Sequence, residues 1–244
     1  MTNKYIRSIP GLLAAVLIAG CSQDNLTGSN AESRSSSAAN ISRVSADPCA
    51  IVLMPHVQTA SAAANEIDRS ILRYQQASAD TSGSLPRLER LGWALIEKAR
   101  DTRDTGFYVL AEQAALCMDS HTPDSAEALL LRGHVLHNLH RFREAEVLAR
   151  RLVEQRGLWF DFALLGDVLV ERGALDEAVD AYQAVADQRP GPQAYTRVSQ
   201  LRWLKGDLDG ALKMMALATG STSPRTAEAA AWTHVRLALM LMQP

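Results

Sequence analysis

Ala145, Ala178 and Ala211 stand 33 residues apart, and Gly133 and Gly166 repeat the same step. A period of this length marks a chain built from repeated supersecondary units, each too small to bury its own apolar face. Around these positions the apolar residues recur at helical spacing, and no segment alternates in the manner of a half-buried strand. Glycine, proline or charged turns break the pattern at regular intervals. Each unit therefore reads as two antiparallel helices joined by a tight turn. The small Gly in the first helix and the Ala in the second let the backbones approach, and neighbouring pairs must stack to build a core.

Three segments carry the repeat. The first is Leu129-Leu130-Leu131-Arg132-Gly133 followed by Phe142-Arg143-Glu144-Ala145. The second is Phe162-Ala163-Leu164-Leu165-Gly166, then Gly173-Ala174-Leu175-Asp176-Glu177-Ala178, Tyr182 and Pro190. The third is Tyr195-Thr196-Arg197-Val198-Ser199 followed by Gly206-Asp207-Leu208-Asp209-Gly210-Ala211. In the second, Phe162, Leu165, Gly166, Ala178, Tyr182 and Pro190 occupy in order a bulky position, a Leu-Gly pair, a later Ala, an aromatic and a closing Pro. This pattern resembles the tetratricopeptide repeat (TPR). The other two segments are looser: Arg132 replaces the Leu, Ser199 replaces the Gly, and Gly157 sits where Pro usually closes. The family period is about 34 residues, so each connection here is one residue short. The resemblance implies an all-α, right-handed superhelical solenoid of antiparallel helix pairs. It would span residues 57–244 in about four units, the last incomplete.

Upstream, Leu91-Gly92-Trp93-Ala94-Leu95 opens another first helix after Pro86, a residue favoured at helix starts. Its partner is expected over Phe107 to Met118, with Asp101 to Gly106 as a polar break. The distance from Gly92 to that break lengthens the first helix or its loop by about two turns. Ile67, Ile71 and Tyr74 share one face across Ala62 to Ala77, which predicts a solitary capping helix. At the other end, Glu228 to Met242 predicts a final helix with Trp232, Val235, Leu239 and Met242 on or near one stripe. No second helix follows it before Pro244. Such a stripe buries itself, is covered by a partner, or continues into further repeats.

Residues 1–20 read as a leader. Lys4 and Arg7 precede an apolar run, Leu12 to Ala19, that falls well short of the roughly 20 residues a spanning helix needs. Ile18-Ala19-Gly20-Cys21 then places small residues just before a thiol. This resembles the lipobox of bacterial lipoproteins and implies lipid attachment at Cys21. The mature chain would be anchored to a membrane without spanning it. Ser22 rather than Asp, by analogy with Gram-negative lipoproteins, favours the outer membrane with the protein facing the periplasm. Residues 21–56 form the tether: Ser22 to Asp47 is rich in Ser, Asn, Ala and Gly. Cys49 to Pro55 is a short apolar island expected to dock as an extended or strand-like segment. In an oxidising envelope Cys49 and Cys117 are free to pair; alternatively Cys117 is simply a small buried hydrophobe. Nothing like C-x₂-C is present, so the spacing offers no support for zinc.

Composition narrows the function. Lys and Arg number 25 against 27 Asp and Glu, a net charge of −2 that offers no long-range attraction for nucleic acid. Aromatic residues make up 5%, which speaks against carbohydrate or base stacking as the chain's business. The sequence holds no G-x-S-x-G, phosphate loop or dinucleotide fingerprint. Asp101, Asp104, Asp119 and Asp124 read as loop and cap residues. Arg150 and Arg151 read as part of a solvated outer face. His134, His137 and His140 recur at helical steps but lack a companion acidic ligand, and H-E-x-x-H is absent.

The expectation is thus a non-enzymatic adaptor or assembly factor of the bacterial envelope, with no cofactor and no metal. The TPR resemblance puts partner peptides or helices in a concave groove lined by first helices. Mapping the family's positions gives His134, His137, Phe160, Asp167, Val170, Thr196, Gln200 and Trp203, with Trp203 as the aromatic anchor. The groove has no Lys and Asn set for clamping a C-terminal carboxylate, and Arg197 alone would not make one. The alternatives are a docking arm of a larger regulatory or enzymatic protein, a metal-binding lipoprotein using the histidines, or a homo-oligomer joined through the C-terminal helix.

Overall fold

A computed structural model describes residues 47–54, 65–79, 84–223 and 227–242. The leader, Cys21 and most of the tether lie outside the described residues. Eleven helices follow one another among those that are described. They are α1 (Pro48–Leu53), α2 (Glu66–Ala79), α3 (Leu85–Thr102), α4 (Gly106–His121), α5 (Ala126–Asn138), α6 (Phe142–Gln155), α7 (Trp159–Glu171), α8 (Leu175–Gln188), α9 (Pro192–Leu204), α10 (Leu208–Gly220) and α11 (Ala227–Leu241). No described helix is long and apolar enough to cross a membrane.

The packing is that of a right-handed TPR-like solenoid. Four antiparallel pairs, α3–α4, α5–α6, α7–α8 and α9–α10, stack in chain order, each second helix also touching the next first helix. First helices meet one another, α3 with α5 and α5 with α7, and so form the inner row. The small residues explain how close these helices come. A Cβ on Gly166 would strike the Tyr182 ring of α8, and one on Gly133 would lie 2.6 Å from Leu164 Cδ2 of the next unit. At the equivalent place in α9, Ser199 is fully buried and donates to the Ala211 carbonyl at 2.7 Å, so its hydroxyl is satisfied inside the core. Ala145, Ala178 and Ala211 are each fully buried, as their spacing requires.

The turns use the expected chemistry. Gly157, Gly173 and Gly206 take φ of 56°, 76° and 83°, a region costly for residues with a Cβ. His140 holds the corresponding turn with φ 57° and shows that the position tolerates a side chain. Ser125 caps α5 and Asp207 caps α10 through side-chain acceptors.

The N-terminal end differs from a simple repeat. α3 runs 18 residues, so the added length expected near Asp101 lies in the helix, not in its loop. Asp101 and Asp119 accordingly sit on α3 and α4, not in loops. α2 packs on α3 as the capping helix. The apolar island forms a short helix, α1, where an extended segment was expected. Pro48 starts it, and Asp47 caps it by accepting from the Cys49 amide at 3.0 Å. Val52 is fully buried against Ile71, Leu88, Leu91 and Leu95 in the first core. Cys49 and Cys117 form a disulfide that fastens α1 to α4.

α11 lies at the position of a fifth first helix, but it is turned about its axis. It docks through Thr233, Leu237 and Met240, while Trp232, Val235, Leu239 and Met242 stay exposed. The apolar stripe that the periodicity picked out thus faces away from the core.

Candidate functional site

Two adjoining concavities line the inner row of helices. The first encloses about 810 Å³ between Trp93, Ile96, Glu97 and Arg100 of α3, His134 and Asn138 of α5, and Glu228 of α11. His134 packs edge-on against Trp93, with ring centroids 5.2 Å apart. Burial pushes the His134 imidazole down to about 4, and the nearby positive field of Arg197 adds to the shift while Asp167 partly offsets it. His134 is therefore neutral at physiological pH and packs as an aromatic wall.

The second concavity encloses about 460 Å³ and gathers His137, Asp167, Val170, Thr196, Arg197, Gln200, Trp232 and Arg236. Its floor is a fixed polar cluster. Arg197 grips Asp167 with two parallel bonds, Nε to Oδ1 and Nη2 to Oδ2, each 2.8 Å, and the Tyr182 hydroxyl donates to Oδ1 at 2.8 Å. One carboxylate thus links α7, α8 and α9. Burial, followed by the Asp167 charge, drives the Tyr182 hydroxyl well above the usual phenol range. Burial alone would lower the Arg197 pKa; the Asp167 charge and hydrogen bonds outweigh it and raise it. Arg197 is neutralised in place, so it is spent on the scaffold and offers no clamp for a carboxylate.

Two further polar atoms are buried beside this floor. His137 Nε2 and Arg236 Nε are buried with no hydrogen-bond partner among the described residues. Arg236 also stacks on Trp232 at 5.8 Å and bonds Gln200 through its Nη2. Trp232 is 52% exposed beside them. The concavity therefore has a floor fixed by paired charges and a half-exposed indole at its rim.

The structure brings His137, Asp167, Val170, Thr196 and Gln200 together in the second concavity and places His134 in the first. Phe160 lines neither; it stacks against Trp159 and lies under the Arg156 guanidinium at 4.6 Å. Arg156 there pairs with fully buried Asp161 at 2.9 Å, so Phe160, in the first turn of α7, packs against the connection from α6. Trp203 also lines neither concavity and stands 37% exposed near the end of α9. Trp232 and Arg236 are the residues that the repeat mapping missed, because α11 turns out of register. Arg150 and Arg151 are half-exposed, and both are ion-paired: Arg150 with Glu146 and Glu177, Arg151 with Asp124.

No known family profile matches the chain, and no curated protein is detectably similar to it in sequence. Solved structures do match. A thermophilic TPR protein of Thermus thermophilus superposes with a TM-score of 0.62 at 16% identity, covering 72% of this chain and 91% of that one. MamA from Desulfovibrio magneticus, from its residue 41 to its end, superposes with a TM-score of 0.53 at 17% identity, covering 64% of this chain and 88% of that one. Similarity at this identity is one of fold, and the fold is that of the TPR solenoid.

Proposed function

We propose that this chain is a non-enzymatic adaptor or assembly factor that holds a partner peptide or helix in the groove between α5, α7, α9 and α11. The observation that carries this reading is the second concavity, where Thr196, Gln200 and the exposed Trp232 line a groove over the fixed Asp167–Arg197–Tyr182 floor. Asp167 on its floor already accepts from Tyr182 and Arg197, so this carboxylate is occupied as an acceptor and poorly placed to move a proton for catalysis; Glu171 also lines the concavity.

We further propose that it works in a bacterial envelope, tethered through lipid on Cys21 at the outer membrane and facing the periplasm. The leader supports this reading, and so does the Cys49–Cys117 disulfide, a bond that persists where the compartment is oxidising. The anchor raises the effective concentration of the groove near membrane-bound partners without adding a contact.

In-cell crosslinking and affinity capture, with wild type beside Trp232→Ala and Gln200→Ala, tests the groove. A discrete envelope protein captured by wild type and lost from both variants is expected. Capture unchanged in both variants overturns the groove assignment. Membrane fractionation of Cys21→Ser tests the anchor separately: release into the soluble fraction is expected, and unchanged membrane association overturns it.

A further inference from the structure

The disulfide end of the molecule holds more than a staple. Cys117 and His121 stand four residues apart on α4, and therefore on one face of that helix. Cys49 arrives from α1, and His121 Nε2 lies 3.6 Å from Cys49 Sγ. One ligand atom from each of Cys49, Cys117 and His121 falls within 4.8 Å of the others. Ser120 Oγ is 3.7 Å from the same sulfur. Neither the repeat pattern nor the groove explains this convergence of two sulfurs and an imidazole.

We propose that Cys49, Cys117 and His121 form a redox-gated site for a thiophilic divalent cation of the zinc class, closed while the disulfide stands and opened when it is reduced. A tetrahedral ion with bonds of about 2.3 Å to sulfur and about 2.0 Å to nitrogen sets a sulfur–nitrogen edge of about 3.5 Å. The Cys49–His121 separation already matches that edge. On reduction the sulfurs part toward the edge of about 3.8 Å that the same ion requires. Three protein ligands leave a fourth position for water or the Ser120 hydroxyl, the open form of a zinc site.

The chemistry balances with a small dithiol as reductant. Its thiolate attacks Cys49 Sγ, because Cys49 is half-exposed while Cys117 is fully buried. Cys117 leaves as a thiolate, and the second thiol of the reductant then displaces Cys49. Two electrons pass to the protein, and the dithiol departs as its own disulfide. The cation next displaces the remaining thiol protons and meets two thiolates and one neutral imidazole, so its double charge is neutralised.

The test uses the purified protein reduced with a phosphine, desalted without oxygen and titrated with Co²⁺, whose thiolate charge-transfer absorption reports sulfur ligation. One equivalent is expected to bind the reduced protein with that absorption, and none the oxidised protein. Zn²⁺ should displace the Co²⁺ and slow reformation of the disulfide. His121→Ala changes an exposed side chain and leaves the disulfide, so its fold is checked by helical circular dichroism; it should weaken binding about tenfold or more. Absence of thiolate absorption in the reduced wild type overturns the site. Equal affinity in His121→Ala overturns the role of the imidazole and with it the three-ligand site.

Discussion

The two ends of the solenoid are finished in opposite ways. At the N-terminal end α1 and α2 cover α3 and α4, and the core there includes Ile71, Leu88, Leu91, Leu95 and Met118, all fully buried. The disulfide closes a span of 68 residues across that core. At the C-terminal end the last core consists of Ala211, Met215, Ala218 and Met240, and α11 leaves Trp232, Val235, Leu239 and Met242 exposed. A repeat array is held by nearest-neighbour interfaces, so its ends can differ in stability while its middle stays the same. The comparison teaches that this array is locked at one end and open at the other. Its groove runs toward the open end.

The lock supplies the largest effect. Reducing the Cys49–Cys117 bond in the absence of metal should lower stability by about 4 kcal/mol on the chain-entropy estimate for a loop of this length. Urea unfolding with and without reductant measures it. An unchanged midpoint would show that α1 contributes nothing to the lock.

Truncating one buried side chain at each end sharpens the contrast. Leu95→Ala, in the first core, should cost about 3 kcal/mol in the main unfolding transition. Met240→Ala should leave that transition nearly unmoved and instead speed hydrogen exchange across α11, because that helix packs mainly on α10 at the end of the described array. If Met240→Ala shifts the main transition as far as Leu95→Ala does, the array unfolds as one body and the two ends are equivalent.

His134 lies between the ends and adds a dependence on pH. Its folded pKa is about 4 against an ordinary 6.5. Between those values the unfolded chain takes up a proton that the fold refuses. The stability it contributes is complete above pH 6.5 and is lost as pH falls toward 4, on the order of 3 kcal/mol. Unfolding of wild type and His134→Gln about one unit above the upper value and close to the lower one measures this, and the variant should show the smaller difference.

These contrasts also show which parts of the molecule were legible in the sequence. The four helix pairs could be read because each small residue repeats at a step that two helices and two turns impose. Positions equivalent by that step, such as His137 with Val170 and Asp167 with Gln200, do share a concavity. What escaped depends on contacts made across the array. α1 is only six residues long, so periodicity could not separate a helix from an extended piece; its cap and its burial decide. The pairing of Cys49 with Cys117, and the approach of His121, follow from how α1 docks. Phe160 turned to Arg156 because a buried carboxylate, Asp161, holds that guanidinium in place. Trp232 occupies the repeat position of Gly133, Gly166 and Ser199. α11 has no second helix after it among the described residues to take that face, and it buries Thr233 while Trp232 stays exposed.

That rotation makes the smallest effect on stability the most informative about function. Trp232→Ala removes a side chain that is 52% exposed and should change unfolding by under about 0.5 kcal/mol. It should nonetheless abolish capture of the groove's partner, because an exposed aromatic at the rim of a groove is where binding energy concentrates. Trp203→Ala is the matched control: it is also exposed and aromatic, but it lies outside both concavities. Partner loss confined to Trp232→Ala would place recognition at the open end. Loss confined to Trp203→Ala would return it to the regular repeat register and leave the turned helix as a plain cap.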